Sequence, residues 1–175
     1  MAESADPSEL VRRGYNKIAS TYLSARSDGR ADPPVLGEFS SLLPANALVL
    51  DAGCGAGVPV TKFLAQRHRV VGIDFSIVQA RTASGLVPSA LIASVDMTQL
   101  AFPPGLFDGV CSFFAILHIP RSKHWNLLAD FYRILRKEGL ALPATGFSVI
   151  SSLIEPDPIS KIASHLFVLA RKDGA

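Results

Sequence analysis

The chain has 175 residues, 49% of them hydrophobic and 18% charged, which is enough for one domain with a sizeable core. That composition excludes a disordered chain. Seventeen Lys and Arg against fifteen Asp and Glu leave a net charge of +2, so composition makes no case for nucleic acid or an acidic membrane as partner.

The first periodic stretch is 8–26, where Leu10, Val11, Tyr15, Ile18, Ala19, Tyr22 and Leu23 recur at helical spacing behind an N-cap at Ser8. Asp28-Gly29-Arg30 and Asp32-Pro33-Pro34 mark a loop, and a second helix follows over 34–43, closed by Pro44. Strands and helices then alternate. Strands are expected at 47–51, 70–74, 89–95 and 107–117, the last nearly continuous in apolar residues, as a strand buried on both faces should be. Helices are expected at 58–67, 76–84 and 121–137, the last periodic through Trp125, Leu127, Leu128, Phe131, Ile134 and Leu135 and stopped by Gly139. This order predicts an α/β fold with a doubly wound, Rossmann-like, mostly parallel sheet.

After Gly139 the pattern changes. Between a fifth strand and the next one only Ala144-Thr145-Gly146 are available, whereas a parallel crossover needs about a dozen residues or more. A turn that tight serves an antiparallel partner, and Pro143 weakens an interior strand there. The crossover from strand 5 to strand 6 is therefore read as missing. The last pair, 147–154 and 165–171, reads as a closing hairpin across a loop with Pro156 and Pro158. An apolar edge left bare by the missing helix is a route to a homodimer.

The two cysteines, Cys54 and Cys111, have no Cys or His at zinc-ligand spacing, so reduced thiols and no metal are expected. The polar, acidic N-terminus does not read as a signal peptide, and 110–117 is far shorter than the roughly 20 residues of a membrane span. A cytoplasmic protein without a membrane is the expectation. A mean hydropathy of +0.31 adds that buried strands or a covered apolar surface are present.

The chemistry is concentrated at the end of the first strand. Leu50-Asp51-Ala52-Gly53-Cys54-Gly55-Ala56-Gly57 puts three glycines between a strand and a helix, where positive φ and close ligand approach are both possible. Asp74 ends the second strand at the spacing, about 20 residues on, where a carboxylate accepts hydrogen bonds from a ribose diol; capping the next helix is its other reading, although Ser76 can do that. Two details bear on the ligand. Val58 stands where the dinucleotide motif needs its third glycine, and Asp51 before the turn suits a cationic ligand better than a pyrophosphate. S-adenosylmethionine (SAM), with its ammonium and sulfonium, is such a ligand.

Val49 to Gly57 resembles motif I of the class I SAM-dependent methyltransferases, and Val71-Gly72-Ile73-Asp74-Phe75-Ser76 resembles their motif II. Ala93-Ser94-Val95-Asp96-Met97 is similar to the motif after strand 3, and Phe107 to Phe113 to that of strand 4. The segment around Gly139 is similar to the close of the next helix, without the usual second glycine. Tyr15 to Tyr22 is similar to the cofactor-capping segment of the small-molecule, ubiquinone-biosynthesis-type branch, so the resemblance runs over 15–139.

It implies that Gly53, Gly55 and Gly57 line the methionine part of SAM, with Asp51 near its ammonium and Cys54 packed in the turn. Asp74 would hold the ribose, beside Ser76; Phe75 would pack on the adenine, bordered by Asp96 and Met97. Tyr15 and Tyr22 would close over the site, simple helix packing being their other reading. Strand 4 is expected to end at His118, either as a catalytic base or as a structural hydrogen-bonding group. Arg121 and Trp125 would border the acceptor pocket, and His68 and His124 are expected on the surface. With its basic residues scattered, the chain reads as a methyltransferase for a small-molecule acceptor rather than a nucleic acid. A SAM- or S-adenosylhomocysteine (SAH)-binding protein without transferase activity is the first alternative, because the missing segment usually helps build the acceptor pocket. An NAD(P)-dependent oxidoreductase is the second.

Overall fold

The computed structural model describes residues 13–14, 34–113, 115–142, 148–156 and 164–171. Of the helix expected over 8–26, only Arg13 and Gly14 are among them, both helical and exposed; Tyr15 and Tyr22 lie outside the described residues.

The first described helix, α1 (Pro34–Leu42), buries Leu36 and Phe39 completely and is followed by buried Leu43. It is too short to be stable alone, so packing on the sheet holds it. That packing needs Gly109 in the facing strand: a Cβ there would stand 2.9 Å from both Phe39 Cζ and Leu43 Cδ1. The chain then alternates through β1 (Leu48–Ala52), α2 (Val60–Leu64), β2 (Arg69–Asp74), α3 (Ile77–Leu86), β3 (Leu91–Ser94) and β4 (Phe107–Cys111). After a short 3-10 turn at Ile116–His118 come α4 (Arg121–Ile134), β5 (Leu135–Leu142), β6 (Ser148–Pro156) and β7 (Ser164–Arg171).

The strands form one sheet in the order β3-β2-β1-β4-β5-β7-β6. The first five are parallel, and β7 is antiparallel to both of its neighbours. The doubly wound, Rossmann-like expectation is met. Consecutive residues of the inner strands feed two separate cores. Val49, Cys111 and Leu140 join α1 and α2 residues on one face; Leu50, Val110 and Ala141 join Leu127, Phe131 and Ile134 of α4 on the other. That two-sided burial is why these strands read as unbroken apolar runs.

Four boundaries differ from the sequence reading. The helix expected over 58–67 is only Val60–Leu64, with Pro59 at its N-cap. Strand 4 stops at Cys111 rather than running to 117, because the chain leaves the sheet to form the 3-10 turn. The helix expected to end at Gly139 ends at Ile134, and Leu135 already pairs with Phe107. Gly139 therefore lies within β5, in an irregularity where Glu138 takes a φ of 59°.

The fourth difference concerns the end of the sheet. Only 143–147 stand between β5 and β6, so the crossover helix is indeed missing, and β6–β7 form the expected hairpin. Yet β6 runs parallel to β5, since both are antiparallel to the intervening β7. The short link suffices because Leu140 and Ser148 both lie opposite Arg171. Strand β6 begins level with the end of β5 and continues past the carboxyl edge instead of returning to the start.

Candidate functional site

In a doubly wound sheet the ligand crevice lies at the carboxyl ends of the strands, where the order reverses. Here that point is between β1 and β4. The turn after β1 is anchored to β2, because Gly53 N and Cys54 N both donate to the Ile73 carbonyl, at 2.8 and 2.9 Å. Gly53 has a φ of +83°, and a Cβ there would overlap the Ala115 side chain and stand 2.8 Å from Met97 Cε. The segments after β3 and β4 thus close down onto this glycine. Gly55, at φ +56°, is different: a Cβ there would meet nothing within 4 Å. Its open side is available to a ligand.

Asp74 ends β2 and binds the turn directly. Its Oδ2 accepts from Gly55 N at 2.9 Å and its Oδ1 from Ser76 N at 2.8 Å. Each oxygen keeps a lone pair for another donor. Burial raises its pKa above the ordinary aspartate value, although those two hydrogen bonds oppose the shift. The capping role belongs to Ser76, whose Oγ accepts from Gln79 N at 3.2 Å. Phe75, between them, is 36% exposed. After β3, Asp96 Oδ1 accepts from Thr98 N and Thr98 Oγ1, both at 2.8 Å, which fixes the carboxylate. Met97 is buried beside Gly53.

Asp51 has turned inward. It is 1% exposed, and its Oδ2 accepts from Thr61 Oγ1 at 2.6 Å while the Cys111 thiol approaches Oδ1 at 3.8 Å. It forms part of the wall beneath the turn. Burial and the nearby Asp51 push the pKa of both Cys54 and Cys111 up, so both thiols stay protonated and unreactive.

These features converge on one comparison. A family profile described as a methyltransferase domain matches residues 49–139. The chain belongs to this family, the class I SAM-dependent methyltransferases. The chain is 40% identical over 173 residues to the 2-methyl-6-phytyl-1,4-hydroquinone methyltransferase of Synechocystis, covering 77% of this chain and 54% of that protein. It is 32% identical over 142 residues to a Xenopus tropicalis tRNA (carboxymethyluridine(34)-5-O)-methyltransferase, covering 77% of this chain and 20% of that one. The chain thus spans about half the length of the first relative and a fifth of the second. Among solved structures, magnesium protoporphyrin IX methyltransferase from Synechocystis with bound SAM superposes with a TM-score of 0.76 at 17% identity, covering 99% of this chain and 100% of that one. That last likeness concerns the fold.

Beyond β4, Ser112 ties the chain back to the end of β1, its Oγ donating to the Ala52 carbonyl at 2.7 Å. His118 sits in the 3-10 turn rather than at a strand end, half buried, and burial lowers its pKa, so it is neutral near pH 7. Two other histidines depart from the expected surface placement. His68 is 6% exposed, with Nε2 2.8 Å from Ser40 Oγ, and half-buried His124 donates from Nε2 to the Ile119 carbonyl at 2.8 Å.

Sequence reasoning missed Thr61, Ala115 and Gln79. No spacing marks Thr61 or Ala115, which matter only through contacts across the fold. Gln79 is 1% exposed, and its side-chain amide has no hydrogen-bond partner among the described residues. It occupies the position of a capping box three residues after Ser76, but the Ser76 N–H it would receive is already given to Asp74.

Proposed function

We propose that the chain binds SAM at the carboxyl edge of its sheet and transfers the methyl group to a small-molecule acceptor. The observation that carries this reading is Asp74, held between Gly55 N and Ser76 N at the end of β2 with lone pairs to spare, next to a glycine whose side-chain space is open. The residues fit the cofactor. Asp74 accepts the ribose hydroxyls, Phe75 offers an exposed ring to the adenine, and Asp96, with Met97, borders its far side. Gly55 leaves its side-chain space open to the methionine part, while Gly53 and Gly57 let the turn pack tightly around it, with Cys54 in the same turn and Ser76 beside Asp74. Asp51 acts from below, lending negative potential to the place of the ammonium. For Tyr15 and Tyr22, outside the described residues, the proposed role is to cover the site, with 1–45 assigned as the cap and 46–175 as the cofactor-binding domain.

SAM, when bound, supplies an electrophilic methyl group, so alignment in a dry site does most of the work. His118 is the group we assign to take a proton when the acceptor must lose one, and its neutral form suits that role. The small-molecule reading rests on the Synechocystis relative, whose name gives an alkylated hydroquinone as acceptor, and on the apolar Ile116 and Leu117 beside His118. The ubiquinone-biosynthesis-type branch remains our proposed assignment, on the resemblance of 15–22 to its cofactor-capping segment. The enzyme is read as cytoplasmic; no helix among the described residues is long and apolar enough to cross a membrane. A homodimer through the β6 edge is the expected assembly, and a monomeric elution profile would contradict it.

The short link at 143–147 favours one competing reading, a SAM- or SAH-binding protein without turnover. Transfer of labelled methyl from SAM to a soluble alkyl-hydroquinone separates the two. We expect transfer, and a loss of roughly 100-fold in kcat for His118→Asn with SAM binding retained. Binding without transfer to any phenolic, amine or thiol acceptor would favour the non-catalytic reading.

A further inference from the structure

The segment that leaves β4 and starts α4 carries an exposed surface that the cofactor site does not use. Trp125 is 72% exposed and Leu117 is 55% exposed. Singly exposed apolar side chains are common on protein surfaces, and what sets this segment apart is that its two flank two exposed cations. The backbone between them is stitched into one unit: Ile119 N donates to the Ile116 carbonyl at 2.9 Å, Lys123 N to the Pro120 carbonyl at 2.8 Å, and His124 Nε2 to the Ile119 carbonyl at 2.8 Å. Arg121 lies one turn before Trp125, and both Arg121 and Lys123 are exposed.

Charge then selects the partner. No Asp or Glu occurs between Asp108 and Asp130, and among the described residues neither Arg121 nor Lys123 is in an ion pair. The first turn of α4 holds no acid either, so its cations sit unfavourably at the positive end of the helix dipole. A nearly neutral total hides this local excess. An exposed tryptophan and leucine flanking the cationic first turn of α4 match the headgroup region of an anionic bilayer, where indole sits at the interface and Lys and Arg meet lipid phosphates.

We propose that Leu117, Arg121, Lys123 and Trp125 dock this chain on an anionic membrane surface, with the carboxyl edge and His118 turned to that surface. The proposal deepens the small-molecule reading, because an acceptor with a long apolar tail resides in such a surface and would enter beside His118. Net composition pointed away from membranes; the local arrangement points toward one face resting on them.

Trp125 is the chain's only tryptophan, so its emission reports the contact directly. The full chain is mixed with vesicles of phosphatidylcholine alone, or with one third phosphatidylglycerol, and followed by emission and co-sedimentation. A blue shift and sedimentation on the anionic vesicles, reversed by salt, are expected. Arg121→Glu with Lys123→Glu should weaken partitioning by about tenfold or more, at roughly fivefold per cation near the surface. Arg67→Glu with Arg69→Glu gives the same net charge at the opposite edge of the sheet and should leave partitioning unchanged. Melting curves of each variant confirm that it is folded. No shift on anionic vesicles, equal loss in both double variants, or a shift with RNA in place of vesicles would each overturn the proposal. A SAM-induced rise in Tm is read on the same protein: SAM binding without vesicle contact removes only the docking surface, and vesicle contact without SAM binding removes only the cofactor reading.

Discussion

Asp74 was legible in the sequence because its spacing is characteristic: a carboxylate at the end of the second strand, 19 residues after Gly55 of the glycine turn. The structure adds that burial raises its pKa. A carboxyl whose folded pKa exceeds its unfolded value favours the fold at low pH and loses that contribution as pH rises through the folded pKa. Cofactor binding runs the other way, since only the carboxylate accepts two ribose hydroxyls. SAM affinity should therefore fall on acidification at a pH above the ordinary aspartate value of about 3.9. Titration calorimetry from neutral to mildly acid pH checks this, and Asp74→Asn should bind at least tenfold more weakly. Two further substitutions test packing. Gly53→Ala must place a methyl against Ala115 and Met97 at positive φ, so we expect a loss of about 3 kcal/mol in urea unfolding. Gln79→Met removes a buried amide without a partner and should gain about 1 kcal/mol. Gln79 and His68 were not legible, because nothing in a linear sequence says that a polar side chain will be enclosed by a neighbouring element.

At the scale of elements, existence was legible and ends were not. Phe113, Ala115, Ile116 and Leu117 extend the apolar pattern of strand 4, but Phe113 packs in the core, Ala115 closes on Gly53 and Leu117 is exposed, none of them in the sheet. Leu135 fits the helical period of α4, yet its backbone pairs with Phe107. Tertiary pairing decided both boundaries. The reversal between α4 and the paired part of β5 depends on Gly139, where a Cβ would stand 2.8 Å from the Arg136 carbonyl oxygen and 3.2 Å from that of Asp108. Gly139→Ala should cost about 1–3 kcal/mol, read as a lower Tm. The same region is braced by Arg133, whose guanidinium donates to the carbonyls of Phe102 at 2.6 Å and Leu100 at 2.8 Å.

For the whole molecule, alternation of strands and helices was enough to read the doubly wound sheet, since two-sided burial writes itself into the sequence as apolar runs. The end of the sheet was harder. Counting residues between strands 5 and 6 correctly excluded a crossover helix, but the count assumed that neighbouring strands in sequence are neighbours in space. With β7 inserted between them and β6 displaced toward the carboxyl edge, a parallel arrangement needs only a short link. The proposed cofactor site therefore stands on the regular, parallel part of the sheet. The central claim is that the glycine turn and Asp74 hold SAM. Thermal unfolding with saturating SAM, SAH and NADH in turn tests it most directly. At about 100 times its Kd a ligand adds roughly 2.7 kcal/mol, or about 5–10 °C for a chain of this size. A rise with SAM and SAH that NADH does not produce, and that Asp74→Asn cuts by about half or more at the same ligand concentration, is the predicted result; no rise with either, or a rise with NADH alone, would contradict the account.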